Sequence, residues 1–402
     1  MNADDVERAS QTIAGLVRST PTLPADWLSE NAGTPVFLKA ENLQRTGSFK
    51  IRGATNAIAN LSARDREAGV VAASAGNHAQ AVALAAKAAD IRAILCMPAD
   101  APVAKVEAVR RYGGEVRLVE GSYDDAQEHA RRLAEAEGRA LIHAFADPVV
   151  VAGQGTVGLE IVDALPDVAS IVVPVGGGGL ISGVAIAAKA RVPAVRVIGV
   201  QAEECSPFPT SLAAHQPVGA RSTRTIADGI AVKRPEELTL RLVESHVDEV
   251  VTVSEDEIAR TMVHLLERAK LVVEGAGAVA AAAVRHGRID VSGGGPCCVV
   301  LSGGNVDASL LAECIRMGET AAGRRTVLKM VLPDRPGALA HLLGIVAGQG
   351  ANIIDVAHLR EGVDLHVRET LIRLVVETRG ADEAAAVVDA IAGDGFAVEV
   401  ER

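Results

Sequence analysis

The chain has 402 residues, of which 49% are apolar and only 2% aromatic, and a formal net charge of −11. That length calls for two or three domains. The acidity argues against nucleic acid and anionic membranes as partners, and the scarcity of rings removes the usual platform for stacking bases.

The N-terminus, MNADDVERAS, has neither a basic n-region nor an apolar h-region, so no secretory signal is visible and a cytoplasmic protein is expected. From about residue 36 to 315, short β-branched runs alternate with alanine-rich helical stretches. GVVAAS (69–74) precedes HAQAVALAAKAA, RAILCMP (92–98) precedes VAKVEAVRRY, and EVRLVE (115–120) precedes YDDAQEHARRLAEAE. SIVVPV (170–175) precedes LISGVAIAAKA, VRVIGVQ follows at 195–201, and CCVVLS (297–302) precedes DASLLAECIRMG. This rhythm predicts parallel strands joined by crossover helices, in an α/β fold whose sheets are covered on both faces. The longest apolar stretch, LVVEGAGAVAAAAV at 271–284, contains Glu274 and is too short to cross a bilayer. Five cysteines without CxxC spacing predict buried thiols rather than a zinc cluster or a disulfide framework.

The composition breaks at GETAAGRR, 318–325. Beyond it the order becomes strand, helix, strand, strand, helix, strand, which is a ferredoxin-like βαββαβ module. The expected division is a catalytic region over 1–322, its smaller lobe approximately 48–145, and a second domain over 323–402. The candidate chemistry-bearing groups all fall in the first.

Three strands end in glycine-containing turns that lead straight into helices: SAGNHAQ (74–80), VGGGGLISG (175–183) and SGGNVD (302–307). In an open α/β sheet, ligands collect at such strand ends, where helix N-termini present unpaired N–H groups. Four successive glycines, Gly176, Gly177, Gly178 and Gly179, let the backbone close around a compact anion such as phosphate. No G-x-G-x-x-G is present, no acidic residue ends the following strand to hold a ribose, and no Gly-Lys-Ser/Thr follows the glycines. A phosphate without a nucleotide is the remaining reading. The segment TGSFKIRGA (46–54) then supplies a partner for it. The chain has 8 lysines against 32 arginines, and one of those few, Lys50, sits there between Phe49 and Ile51. A phosphorylated aldehyde needs an amine that can lose its proton, which an arginine cannot supply, so the combination points to pyridoxal 5′-phosphate.

The ordered series TGSFKIRGA, SAGNHAQAVA, PVGGGGLISG, ADGIAVKR (227–234) and LSGGN resembles the motifs of fold-type II pyridoxal-phosphate enzymes, and of the threonine dehydratase (threonine ammonia-lyase) family in particular. LPDRPGALAHLLGIVAGQGANIIDV resembles an ACT regulatory domain. The resemblance implies a tryptophan synthase β-like two-lobed catalytic fold, and elimination of water and ammonia from L-threonine, with L-serine as a slower substrate. A serine dehydratase, a serine racemase or an inactive amino-acid sensor are the alternatives. Carried over by position, Lys50 would form the Schiff base and move the Cα proton, and Asn77 would bond the cofactor's ring oxygen. Gly176 to Gly179 would hold the phosphate, and Ser302 would face the pyridine nitrogen. Ser74, Ala75, Gly76 and Asn77 would hold the substrate carboxylate. Phe49, Glu274 and Gly303 are further candidates near the cofactor. In the ACT-like segment, Gly337 and Asn352 flank the loops where an amino-acid effector would bind, in a homodimer or homotetramer. Serine racemases carry a second serine where this chain has Ala75, and a metal-ligating carboxylate near the place of Gln201. Neither racemisation nor a metal site is therefore expected.

Overall fold

In the computed structural model, which describes residues 1–360 and 365–401, the apolar runs become strands buried along their whole length: Val70–Ala73, Ala93–Pro98, Ser170–Pro174 and Cys297–Leu301. Such strands must be covered on both faces, and the intervening helices do this. The chain divides into two compact units, Met1–Asp307 and Ala308–Arg402.

The first unit holds two sheets. In the larger, the strand order is Thr22–Pro24, Val36–Ala40, Cys297–Leu301, Ser170–Pro174, Arg196–Ala202 and Glu249–Val253, parallel apart from the first pair. The smaller sheet is wholly parallel, in the order Glu115–Val119, Ala93–Pro98, Val70–Ala73 and Ala140–Leu141. Alanine, valine, leucine and isoleucine dominate both cores, as the near absence of rings requires. Thr22–Pro24 and Ala140–Leu141, with three and two residues, are too short to show a period in sequence.

Two features fix the helix Lys50–Ala59, and with it the amine at its start. One is close packing on the helix Pro148–Ala164: a Cβ at Gly53 would lie 2.7 Å from the Val150 carbonyl, and one at Gly153 would lie 2.7 Å from that of Arg52. The other is a buried ionic cluster. The guanidinium of Arg52, 0% exposed, meets both oxygens of Glu41 at 2.8 Å and those of Glu160 at 2.7 and 2.9 Å. Thr156 Oγ1 accepts its fifth N–H at 3.1 Å. Lys39 Nζ donates to Glu160 and to the Thr20 carbonyl, both at 2.6 Å. A buried arginine is tolerable when all five donors find acceptors and its charge is balanced, and both conditions hold here.

The second unit begins with the helix Ala308–Ala321. Its four-stranded antiparallel sheet has the order Asn352–Leu359, Glu369–Glu377, Arg325–Pro333 and Val398–Glu401. With helices Ala338–Gly348 and Ala381–Gly393, this gives the βαββαβ order read from the sequence. Leu328, Met330, Ile372, Leu374 and Val376 pack against Leu342, Val346, Val387 and Ile391 of the two helices. Gly337 caps the first helix at φ +89°, and Asn352 opens an edge strand with its amide 3.0 Å from Glu377.

Candidate active site

The C-terminal ends of the strands in both sheets of the first unit converge on a cavity of about 970 Å³. Lys50, Phe49, Ser302, Glu274 and the turns Ser74–Asn77 and Gly176–Gly179 all line it. Gly303 stands behind: its carbonyl accepts the Glu274 N–H at 3.1 Å, and it forms a β-bridge with Ser48.

Lys50 is the first residue of its helix. The loop before it is tied to the end of strand Cys297–Leu301, with Phe49 N donating to Ser302 O at 3.1 Å and Gly304 N to Gly47 O at 2.8 Å. Its side chain is half-buried in the cavity wall. Burial lowers its pKa to about 8, partly opposed by the charge of Glu274. Nζ donates to the Ala144 carbonyl at 3.0 Å. That carbonyl belongs to a turn built on His143, whose Nδ1 accepts the N–H groups of Phe145 (3.2 Å) and Ala146 (2.8 Å). Burial holds His143 below its ordinary pKa, which keeps Nδ1 available as an acceptor.

The four-glycine turn joins strand Ser170–Pro174 to helix Gly179–Arg191, with Gly178 at φ +89°. Space as well as φ demands these glycines. A Cβ at Gly177 would overlap the Phe145 ring, and Cβ atoms at Gly178 and Gly179 would each lie 2.7 Å from Phe208 and the Phe145 carbonyl respectively. The first turn of the helix leaves its N–H groups without intrahelical partners, which suits an anion.

Asn77 begins the helix Asn77–Ala88 and donates to Glu274 Oε1 at 2.7 Å. Burial and the charge of Asp228 push Glu274 up to about 7. Asp228 itself pairs with Lys105 at 2.7 Å. Ser74 Oγ accepts the Gly76 N–H at 3.1 Å, and buried Ser302 Oγ donates to the Ala276 carbonyl at 3.3 Å. His78, pushed down to about 3 by burial and then by the charge of Lys50, packs in the helix start, 2.9 Å from the Ile142 carbonyl. The amide of Gln201 is spent on the Val175 carbonyl (3.1 Å) and the Phe208 N–H (2.9 Å). Among the described residues no group of His, Cys, Asp or Glu is arranged to hold a metal ion, and no helix is long and apolar enough to cross a membrane.

Nothing in the sequence points to Phe145 over the glycines, to the Ala144 carbonyl as the amine's partner, or to Asn305, whose amide donates to the Thr46 carbonyl and to Asn77 Oδ1. Asn305 ends the LSGGN segment, but an amide in a glycine turn carries no mark of its neighbours.

These residues fit pyridoxal phosphate. A half-buried amine of lowered pKa and a glycine turn in which side chains would collide line one cavity, with a neutral hydroxyl and an amide between them. Residues 13–303 match the family described as pyridoxal-phosphate dependent enzyme, and residues 326–393 match the ACT domain. The chain belongs to the pyridoxal-phosphate dependent enzyme family. It is similar to an L-threonine ammonia-lyase of Thermotoga maritima, 46% identical over 397 residues and covering 99% of this chain and 98% of the relative. Among solved structures it resembles maize serine racemase, with a TM-score of 0.75, 36% identity, and 80% and 98% of the two chains covered. It also resembles the processed form of threonine deaminase isoform 2 from Solanum lycopersicum, with a TM-score of 0.72, 36% identity, and 78% and 93% covered.

Proposed function

We propose that this protein is a threonine ammonia-lyase, converting L-threonine to 2-oxobutanoate and ammonia, with L-serine to pyruvate as a slower reaction. The observation that carries this reading is the half-buried Lys50 amine, its pKa lowered by desolvation, lining the same cavity as the four-glycine turn. Pyridoxal phosphate, when bound, supplies an electron sink that acidifies the substrate's Cα–H. Lys50 would hold the cofactor, and its lowered pKa would make its amine a competent base for that proton near neutral pH. Gly176 to Gly179 hold the phosphate through backbone N–H groups. The Ser74–Asn77 turn orients the substrate carboxylate at a helix start. Ser302 brings a neutral hydroxyl, not a carboxylate, to the cavity and would leave the ring nitrogen's protonation unenforced, which suits loss of the β-hydroxyl.

Ala75 is the residue that separates this reading from a racemase. It brings no hydroxyl to return a proton from the face opposite Lys50. The direct assay is 2-oxo acid formation from L-threonine and L-serine by the cofactor-loaded protein, with chiral analysis of the remaining substrate. Faster turnover of threonine, with no accumulation of the D-enantiomer, is the expected outcome. Dominant racemisation overturns the assignment.

The ACT domain is assigned an amino-acid effector, with Gly337 and Asn352 at its binding loops and a homo-oligomer as the working form. An effector changes activity only through unequal affinity for two states of the assembly. A chain ending at residue 322 is expected to keep threonine turnover within a few-fold of the full chain and to lose any response to isoleucine or valine, measured as initial rates with and without each amino acid. A response that persists in the shortened chain refutes this assignment.

A further inference from the structure

A row of side-chain amides runs from the backbone beside Lys50 to Glu274, and its direction is fixed from one end. Asn305 Nδ2 lies 2.7 Å from the Thr46 carbonyl, a group that can only accept. The NH2 group of Asn305 must therefore face Thr46, and its second hydrogen meets Asn77 Oδ1 at 2.7 Å. With Oδ1 so engaged, Asn77 turns its own NH2 group the other way, where one hydrogen goes to Glu274 Oε1 at 2.7 Å. The space around Asn305 is fitted to it: Gly47, at φ +73°, carries no side chain, and a Cβ there would collide with Asn305 Oδ1.

An asparagine amide can otherwise turn over at little cost, exchanging a donor for an acceptor. We propose that Asn305 is a positioning residue that sets which way the Asn77 amide faces, so that Asn77 offers its remaining N–H, and not its carbonyl oxygen, to the ring oxygen of the cofactor. This rests on the assignment of Asn77 as a cofactor ligand. The anchor is the Thr46 carbonyl, four residues ahead of Lys50, so the same loop that carries the reactive amine also dictates the polarity of the group facing the ring. In the reversed orientation two oxygens would oppose each other at the cofactor and two more at Glu274, so a misdirected amide weakens the site twice.

The test uses the full-length protein stripped of cofactor and titrated with pyridoxal phosphate, read by the visible absorbance band and its pH dependence, with circular dichroism as the check of folding. Asn305→Ala is expected to weaken cofactor retention about tenfold and to shift the band or its pH midpoint. Asn305→Asp keeps the shape but can only accept, so it turns the Asn77 amide over and is expected to be worse than alanine. In an Asn77→Ala background, adding Asn305→Ala is expected to cost less than about twofold. Packing alone predicts the reverse order, with aspartate milder than alanine, and equal losses in both backgrounds; either result overturns the proposal. Wild-type retention in Asn305→Ala, with Asn77→Ala impaired, overturns it too while leaving Asn77 on the cofactor. If Asn77→Ala alone retains cofactor like the wild type, the ligand assignment fails and the inference falls with it. If Asn305→Ala does not fold, the Asp variant decides alone: a wild-type band refutes the proposal.

Discussion

Lys50→Ala is expected to abolish the visible band that pyridoxal phosphate gives with the wild-type protein, and to lower threonine turnover by at least about 10²–10⁴-fold, the range ascribed to a lost general base. The band reports the covalent link and the rate reports the proton transfer, so one substitution removes both. Borohydride reduction should fix the cofactor on residue 50 of the wild type and nowhere on the variant; a label found on another lysine would falsify the assignment. The environment of the amine adds a pH signature. Burial lowers its pKa to about 8, so the protein without cofactor captures the aldehyde with a rate that climbs as pH rises and levels off above about 8. An ordinary exposed lysine would still be climbing at pH 10. At pH 7 about a tenth of the Lys50 amines are neutral on this basis, against fewer than about one in a thousand for an unperturbed lysine. A midpoint near 10.5 would mean that the amine is solvated.

Arg52→Met is expected to destabilise the first unit by about 3–5 kcal/mol, with a fall in Tm of roughly 10 °C, because buried Glu41 and half-buried Glu160 are left without their main partner. The methionine keeps much of the bulk, so the loss comes from charge and not from a cavity. The sign of the pH dependence distinguishes this account. In the wild type, burial works to raise the pKa of Glu160, but its bonds to Arg52 and the charges of Arg52 and Lys39 bring it below 4.5. That contribution to stability is present above the unfolded value and is lost as pH falls through the lower folded one. In the variant, burial acts on Glu160 with less opposition, so its folded pKa rises, and protonation relieves the penalty as pH falls. Thermal unfolding at pH 7.5 and 5.5 should show the gap between wild type and variant narrowing at the lower pH. A gap that is constant across this range would place the destabilisation in packing.

The parts of this molecule that were legible in sequence are those where one residue type or period has few physical alternatives. Consecutive glycines between a buried strand and a helix, a lysine among arginines, and strands apolar on both faces each restrict the structure on their own. Arg52 shows the opposite case. One arginine among 32 carries no local sign of burial, and what makes burial tolerable is Glu41 and Glu160, 11 and 108 residues away. Phe145 is similar: its place over Gly177 depends on the His143 turn, which belongs to no strand or helix. Ser74 precedes a helix, yet its hydroxyl accepts the Gly76 N–H and does not cap it, since the helix begins only at Asn77. Strand order was not legible either, because buried parallel strands look alike whichever neighbours they take.

That order has a consequence for how the protein is made. Strand Cys297–Leu301 lies between Val36–Ala40 and Ser170–Pro174 and pairs with both. On the ribosome, the middle of the larger sheet must stay open until some 300 residues have been polymerised, long after its flanking strands have left the exit tunnel. The lysine and the glycine turn sit on opposite sides of that late arrival. A nascent chain that stalls before it has no finished pocket in which to capture its vitamin, and its exposed strand edges are a liability that the arrival of Cys297–Leu301 removes.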